Sequence, residues 1–192
     1  MLPNPKHIRV LPHWLAVIGL FLLDWLSKTI VRVTLAPGVS YPLVGDLLKI
    51  TYVQNTRGVA WWVPDVPNAA HFILAAVFGV VIFAAYPVYL FYANQHRNST
   101  WAALAFVCIQ AAFCGHLLND IFLPYTVDFL QVYNSPSANF ADLYGYAGII
   151  ALVVEAIQAY RGQKQPVKGL KAWLEREKAV RDEFLRYYRI RK

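Results

Sequence analysis

Residues 69–93 read AAHFILAAVFGVVIFAAYPVYLFYA, and the surrounding run 66–96 contains no Asp, Glu, Lys or Arg. An uncharged run of roughly 18 or more apolar residues reads as a membrane-crossing helix, in which every backbone N–H and C=O is satisfied within the segment. This run is far longer than the core helix of a water-soluble domain requires. Three further stretches, at about 13–33, 100–122 and 141–160, are predominantly apolar with few charges and are further candidates. The chain is 58% hydrophobic and only 15% charged, in keeping with this reading. The sequence therefore predicts an all-α membrane protein, a four-transmembrane-helix bundle formed by one domain over residues 1–160.

The formal net charge of +7 is unevenly placed. Residues 161–192 hold eleven Lys/Arg and four Asp/Glu, a local net of +7, and the other 160 residues hold seven of each. The high isoelectric point thus belongs to a tail and carries no implication of nucleic-acid binding. Within that tail Leu170, Trp173, Leu174, Val180, Phe184, Tyr187 and Tyr188 fall mostly three or four apart, with Lys and Arg filling much of the rest. Residues 161–192 are predicted as a basic amphipathic helix lying on the anionic cytoplasmic leaflet. Lys6, Arg9, Arg97 and the tail lie on one side of a four-span arrangement, whereas the third loop, 123–139, has no Lys or Arg. By the positive-inside rule both termini are cytoplasmic. The first span has a basic start, but Asp24 and Lys28 follow with no small-residue cleavage site before them, so it is read as a retained span.

The loop between the first two spans is long. Its segment 47–54 is rich in β-branched and aromatic residues, which predicts a small extracytoplasmic platform containing β structure. Cys108 and Cys114 lie on one helix at a spacing that forbids their pairing, and two cysteines are too few for a zinc site. Glu155, near the cytoplasmic end of the last span, is read as sitting at headgroup level.

Ionisable groups at membrane depth are expensive and invite explanation. Asp24 and Lys28, four apart, project from one helix face as an ion pair. His116 and Asp120 share a face at the end of the third span. Asp128 lies just beyond that span and Asp142 opens the fourth, so both carboxylates face the same, outer side. Two nearby carboxyl groups that share one proton can hydrolyse an amide without a metal or cofactor. The ionised partner takes a proton from water and the protonated partner polarises the carbonyl. A proton or ion pathway uses the same residue types and is the competing reading.

Four short motifs in fixed order add to this. Asp24-Trp25-Leu26-Ser27-Lys28 resembles the D-x-x-x-K of the bacterial lipoprotein signal peptidases (signal peptidase II), and Asn55 to Trp61 resembles that family's N-x-G-x-A-[FW]. Val127-Asp128-Phe129 resembles its V-D-F, and Asn139-Phe140-Ala141-Asp142 its N-x-A-D. The resemblance covers about residues 12–160. It implies an aspartic endopeptidase of the bacterial inner membrane that cuts the signal peptide from diacylglyceryl-modified prolipoproteins. Asp128 and Asp142 would form the dyad. Asn55, Gly58 and Asn139 would line the substrate site, with Asp24 and Lys28 supporting it.

The implied partners are that substrate and membrane lipid, and the protein is expected to be monomeric. The chain departs from the family at G-N-x-x-D-R, which stands here as Gly115-His116-Leu117-Leu118-Asn119-Asp120 and keeps only the glycine. Asp120 replaces the arginine, and Arg57 is a candidate to supply the missing cation. A catalytically impaired or retasked homologue that binds lipidated proteins is the alternative that this departure keeps open.

Overall fold

The computed structural model describes residues 11–56, 68–95, 99–162 and 170–189. The elements run α1 (Leu11–Thr34), β1 (Ser40–Val44), β2 (Leu48–Asn55), α2 (Asn68–Gln95), α3 (Thr100–Phe122), β3 (Thr126–Val132), α4 (Phe140–Arg161) and α5 (Leu170–Arg189). Helices α1 to α4 each contain a stretch long and apolar enough to cross a membrane. Leu22, Leu26 and Ile30 on α1, Phe83 on α2, and Ile149, Leu152 and Val153 on α4 are exposed. Continuous apolar surface of this kind is out of place in water and suits acyl chains.

Helix α3 is the centre of the bundle. Its spanning stretch is 56% buried, against 22% for each of the other three, and it packs on α1, α2 and α4. Lipid is as apolar as Leu, so close packing, and not water exclusion, holds such helices together, and small residues are favoured where they meet. Ala111 and Ala112 of α3 are buried, as are Ala141, Gly148 and Ala151 of α4.

The tightest approach is at Gly148, where an added Cβ would lie 2.6 Å from Ile109 Cγ1 and 3.1 Å from the Ile109 backbone nitrogen. Gly148→Ala gains about 1 kcal/mol of helix propensity. Overpacking against a rigid backbone costs about 1–3 kcal/mol, so the clash wins. A lower melting temperature in lipid micelles is the expected outcome, and an equal or higher one would refute this account of the α3–α4 contact.

The three strands form one antiparallel sheet in the order β1-β2-β3. A left-handed Gly45 (φ 49°) turns β1 into β2, a conformation glycine adopts without a Cβ penalty. Strand β2 meets the expectation of β structure in segment 47–54. Strand β3 does not follow from that expectation, since it comes from the third loop, and the chain is accordingly mostly helical rather than all-α. Tyr52, Val127 and Phe129 of the sheet and Val31 of α1 form a buried cluster that seats the sheet on the end of the bundle.

Two features at the opposite end add contacts that the sequence reading did not contain. Glu155 is only 8% exposed, and its carboxylate accepts hydrogen bonds from the hydroxyls of Tyr92 on α2 and Ser99. Ser99 Oγ also accepts from Ala102 N–H at the start of α3. Glu155 therefore ties α4 to α2 and to the start of α3; a buried carboxylate persists where its lone pairs are satisfied. Helix α5 has aromatic residues that lie against α2. The rings of Phe184 and Tyr187 pack edge-on against Phe91, and the Tyr188 hydroxyl donates to the Pro87 carbonyl at 2.6 Å.

Candidate active site

The site is built from the first turn of α4. A helix begins with N–H groups that have no partner within the helix. Asn139 is the N-cap of α4, and its side-chain oxygen accepts from Asp142 N–H at 3.2 Å. The Asp142 carboxylate reaches back to accept from Asn139 N–H at 2.9 Å, which completes a capping box. The Asp142 side chain is thus oriented by the same bonds that start the helix. Ala141 N–H is satisfied from another helix, since Asp24 Oδ1 on α1 accepts it at 3.0 Å. Lys28 Nζ lies 2.7 Å from Asp24 Oδ2, with both side chains almost wholly buried.

Gly115 on α3 makes room for this junction. A Cβ there would stand 2.8 Å from Asp24 Oδ2 and 2.9 Å from Ala141 Cβ.

Asp128 comes from β3, and the local backbone brings it to the same place. Phe129 and Leu130 N–H both donate to the Ala138 carbonyl, at 2.9 and 2.8 Å, which ties the end of the third loop to β3 beside Asp128. The Asn139 amide then donates to Asp128 Oδ1 at 2.7 Å. One asparagine side chain therefore accepts from the backbone of one aspartate and donates to the carboxylate of the other. It is fully buried, at 0% exposure.

The second donor to Asp128 depends on an irregularity in the sheet. Ile50 is opposite Leu130, but Val53 is opposite Asp128, so two residues of β2 face one of β3 between these pairs. Side chains alternate across a strand, and one extra residue moves those beyond it to the other face. The bulge places Asn55, two residues after Val53, on the face of Asp128. Its Nδ2 donates to Asp128 Oδ2 at 2.9 Å. Burial raises the Asp128 carboxyl to about 6; the Asn55 amide opposes the rise, the Asp142 charge adds to it, and Asn139 and Lys28 oppose it.

The imidazole of His116 completes the cluster, with Nε2 3.3 Å from Asp142 Oδ1. The Asp142 side chain is 28% exposed, whereas Asp128 is 4% exposed. The two carboxyl groups thus differ in access as well as in partners.

The structure brings Asp24, Lys28, Asn55, His116, Asp128, Asn139 and Asp142 together from α1, β2, α3, β3 and α4. Arg57 and Gly58 lie outside the described residues, as does the side chain of Asp120. His116 therefore meets Asp142, a contact that its place on the Asp120 face did not announce. Ala141, whose N–H anchors the first turn of α4 to α1, was missed in the sequence because its role is carried by the backbone. Among the described residues, no three His, Cys, Asp or Glu side chains converge as a metal-binding group.

The family model described as signal peptidase (SPase) II matches residues 16–158. The chain belongs to the signal peptidase II family. A lipoprotein signal peptidase from Fusobacterium nucleatum subsp. nucleatum is 31% identical over 152 residues, covering 78% of this chain and 87% of that protein. Another, from Moorella thermoacetica, is 28% identical over 146 residues, covering 74% of this chain and 90% of that protein. A solved bacterial membrane enzyme structure, obtained by the in meso method, superposes with a TM-score of 0.68 at 20% identity. That match covers 86% of this chain and 99% of the solved one, and it speaks for the fold. Membership makes this family member a protease by class, and its four apolar helices fit a membrane-bound one.

Proposed function

We propose that this chain is an intramembrane aspartic endopeptidase that removes the signal peptide from diacylglyceryl-modified prolipoproteins. The observation that carries this reading is the Asn139 bridge, which ties the Asp128 carboxylate to the first turn of α4 that bears Asp142. The dyad begins with one proton. As water attacks the scissile carbonyl carbon, the ionised carboxylate takes a proton from the water and the protonated one gives its proton to the carbonyl oxygen. A neutral tetrahedral diol results. Its collapse breaks the C–N bond, sends the first carboxyl's proton to the leaving nitrogen and returns a diol proton to the second. The pair titrates as a unit and ends as it began.

The orientation that fits the Lys and Arg distribution puts both termini and α5 on the cytoplasmic side of a bacterial inner membrane. The sheet and the dyad then stand near the outer face, where a lipidated cysteine enters the bilayer. A groove of about 520 Å³ between α1 and the sheet, lined by Ile30, Val31, Leu35, Ile50, Phe129 and Phe140, is apolar and open to an acyl chain. Arg57 and Gly58 are proposed as substrate contacts beside Asn55.

The test is a gel-mobility cleavage assay with purified protein in lipid micelles, using a diacylglyceryl-modified prolipoprotein and its unlipidated form. Cleavage of the lipidated form alone is expected. No cleavage, with another family member active in parallel, would favour the retasked binding protein, for which the departure at Gly115–Asp120 is the specific observation.

The same assay yields a pH prediction. Chemistry requires one proton on the dyad, so kcat/KM falls as the raised Asp128 carboxyl ionises, from about pH 6 upward. Asn55 donates to the ionised form, and its removal lets the protonated form persist to higher pH. Asn55→Leu should therefore move the alkaline limb upward by about one unit while lowering the maximal rate. A limb that stays in place or moves down would overturn this assignment.

A further inference from the structure

The two carboxylates have different partners. Asp128 accepts from two neutral side-chain amides, those of Asn55 and Asn139. Asp142 accepts from a backbone N–H and faces an imidazole. Toward a carboxylate an amide offers a neutral N–H donor, whereas an imidazole can donate as the neutral tautomer or carry a positive charge. Charge-assisted bonds to a carboxylate are roughly twice as strong as neutral ones. The imidazole is therefore the feature of the site that distinguishes one aspartate from the other.

His116 is 8% exposed and held in place. Phe78 of α2 lies against its ring, with centroids 6.2 Å apart, and adds no charge. From α1, Asp24 packs against the neighbouring Gly115 but is already paired with Lys28. From α4 the group that faces His116 is Asp142, and from β3 the nearest charge is Asp128 across the dyad. Asp120 follows one turn later on α3 itself. Of these, Asp142 has the side chain recorded at ion-pair distance from the imidazole.

We propose that His116 is a positioning residue that holds Asp142 as the ionised member of the dyad, which makes Asp142 the base toward water and Asp128 the proton carrier. The proposal rests on the peptidase reading and deepens it by assigning the two roles. The accessible carboxylate is then the one that meets water, and the buried one keeps the proton. It also gives the family motif's departure at position 116 a chemical consequence, because an amide there could orient Asp142 but could not carry charge beside it.

The experiment measures kcat and KM for the lipidated prolipoprotein from about pH 3 to about pH 8 with wild type, His116→Gln and His116→Leu. In wild type the acid limb marks protonation of the base. Loss of the imidazole should move that limb upward by about one unit in His116→Leu, and by less in His116→Gln, which can still donate. Well below the wild-type limb this is roughly a tenfold loss of kcat. The loss should close as pH rises, and KM should be unchanged.

A residue with a merely structural role would lower activity equally at all pH values. The proposal is overturned if both variants melt like wild type and keep the acid limb where it was, or if KM changes and kcat does not. Should His116→Leu fail to fold, His116→Gln decides by the same criteria. A wild type that cleaves at no pH overturns the peptidase reading itself, and this assignment with it, so the two failures are distinguishable.

Discussion

Asp128→Asn and Asp142→Asn each abolish cleavage of the lipidated prolipoprotein, with rates expected to fall by about 10³–10⁴-fold or more. Neither change removes the shape of the side chain. At position 142 an amide oxygen can still accept from Asn139 N–H, so the capping box and the start of α4 survive. At position 128 the amide fills the same buried space between Asn55 and Asn139. Melting temperatures in lipid micelles should therefore stay within a few degrees of wild type, and loss of activity is then a loss of chemistry. Groups that act as a unit are non-additive, so the double variant should be no slower than either single one. Cleavage within tenfold of wild type by either variant would remove that aspartate from the dyad. Independent, multiplying losses would mean the two carboxyl groups do not share a proton.

Much of the fold was legible because lipid imposes one severe rule. A backbone in hydrocarbon must satisfy itself, so long apolar runs have one structural solution. The stretches 13–33, 69–93, 100–122 and 141–160 accordingly reappear within α1 to α4, with ends shifted by a few residues. Strand β2 was legible from its composition. Strand β3 was not, and its burial explains why. Thr126, Val127, Asp128 and Phe129 are all buried, so the alternation that marks a half-buried strand is missing from the sequence.

The site divides in the same way. Asp128 and Asp142 stand out in sequence because carboxylates are rare at such positions. The bonds that orient them do not stand out. Asp24 and Ala141 are 117 residues apart, and one of the two atoms involved is a backbone nitrogen, to which residue identity gives no clue. The β2 bulge is equally silent, since a slip of one residue depends on how the two strands meet. The partners of Glu155 are silent too, since they come from Tyr92 on another helix and from Ser99 in a loop.

The second large effect concerns Asp24. Asp24→Ala is expected to destabilise the protein by about 3–5 kcal/mol, because it leaves the Lys28 ammonium buried and unpaired. It also orphans Ala141 N–H, one residue before Asp142, so cleavage should fall along with stability. These two losses have different causes and can be separated. In Asp24→Ala/Lys28→Met the stranded charge is gone, and a buried pair replaced by apolar groups is often neutral or better. Stability should largely return. Activity should not, because the first turn of α4 still lacks its acceptor from α1.

In Asp24→Asn/Lys28→Met the amide oxygen restores that acceptor without any charge, and both stability and cleavage should recover. Thermal melts and the cleavage assay on the three variants decide the matter. If activity simply tracks melting temperature across them, Asp24 supports the fold alone. If the asparagine variant cleaves and the alanine variant of equal stability does not, the bond to Ala141 N–H is what holds Asp142 in register with Asp128.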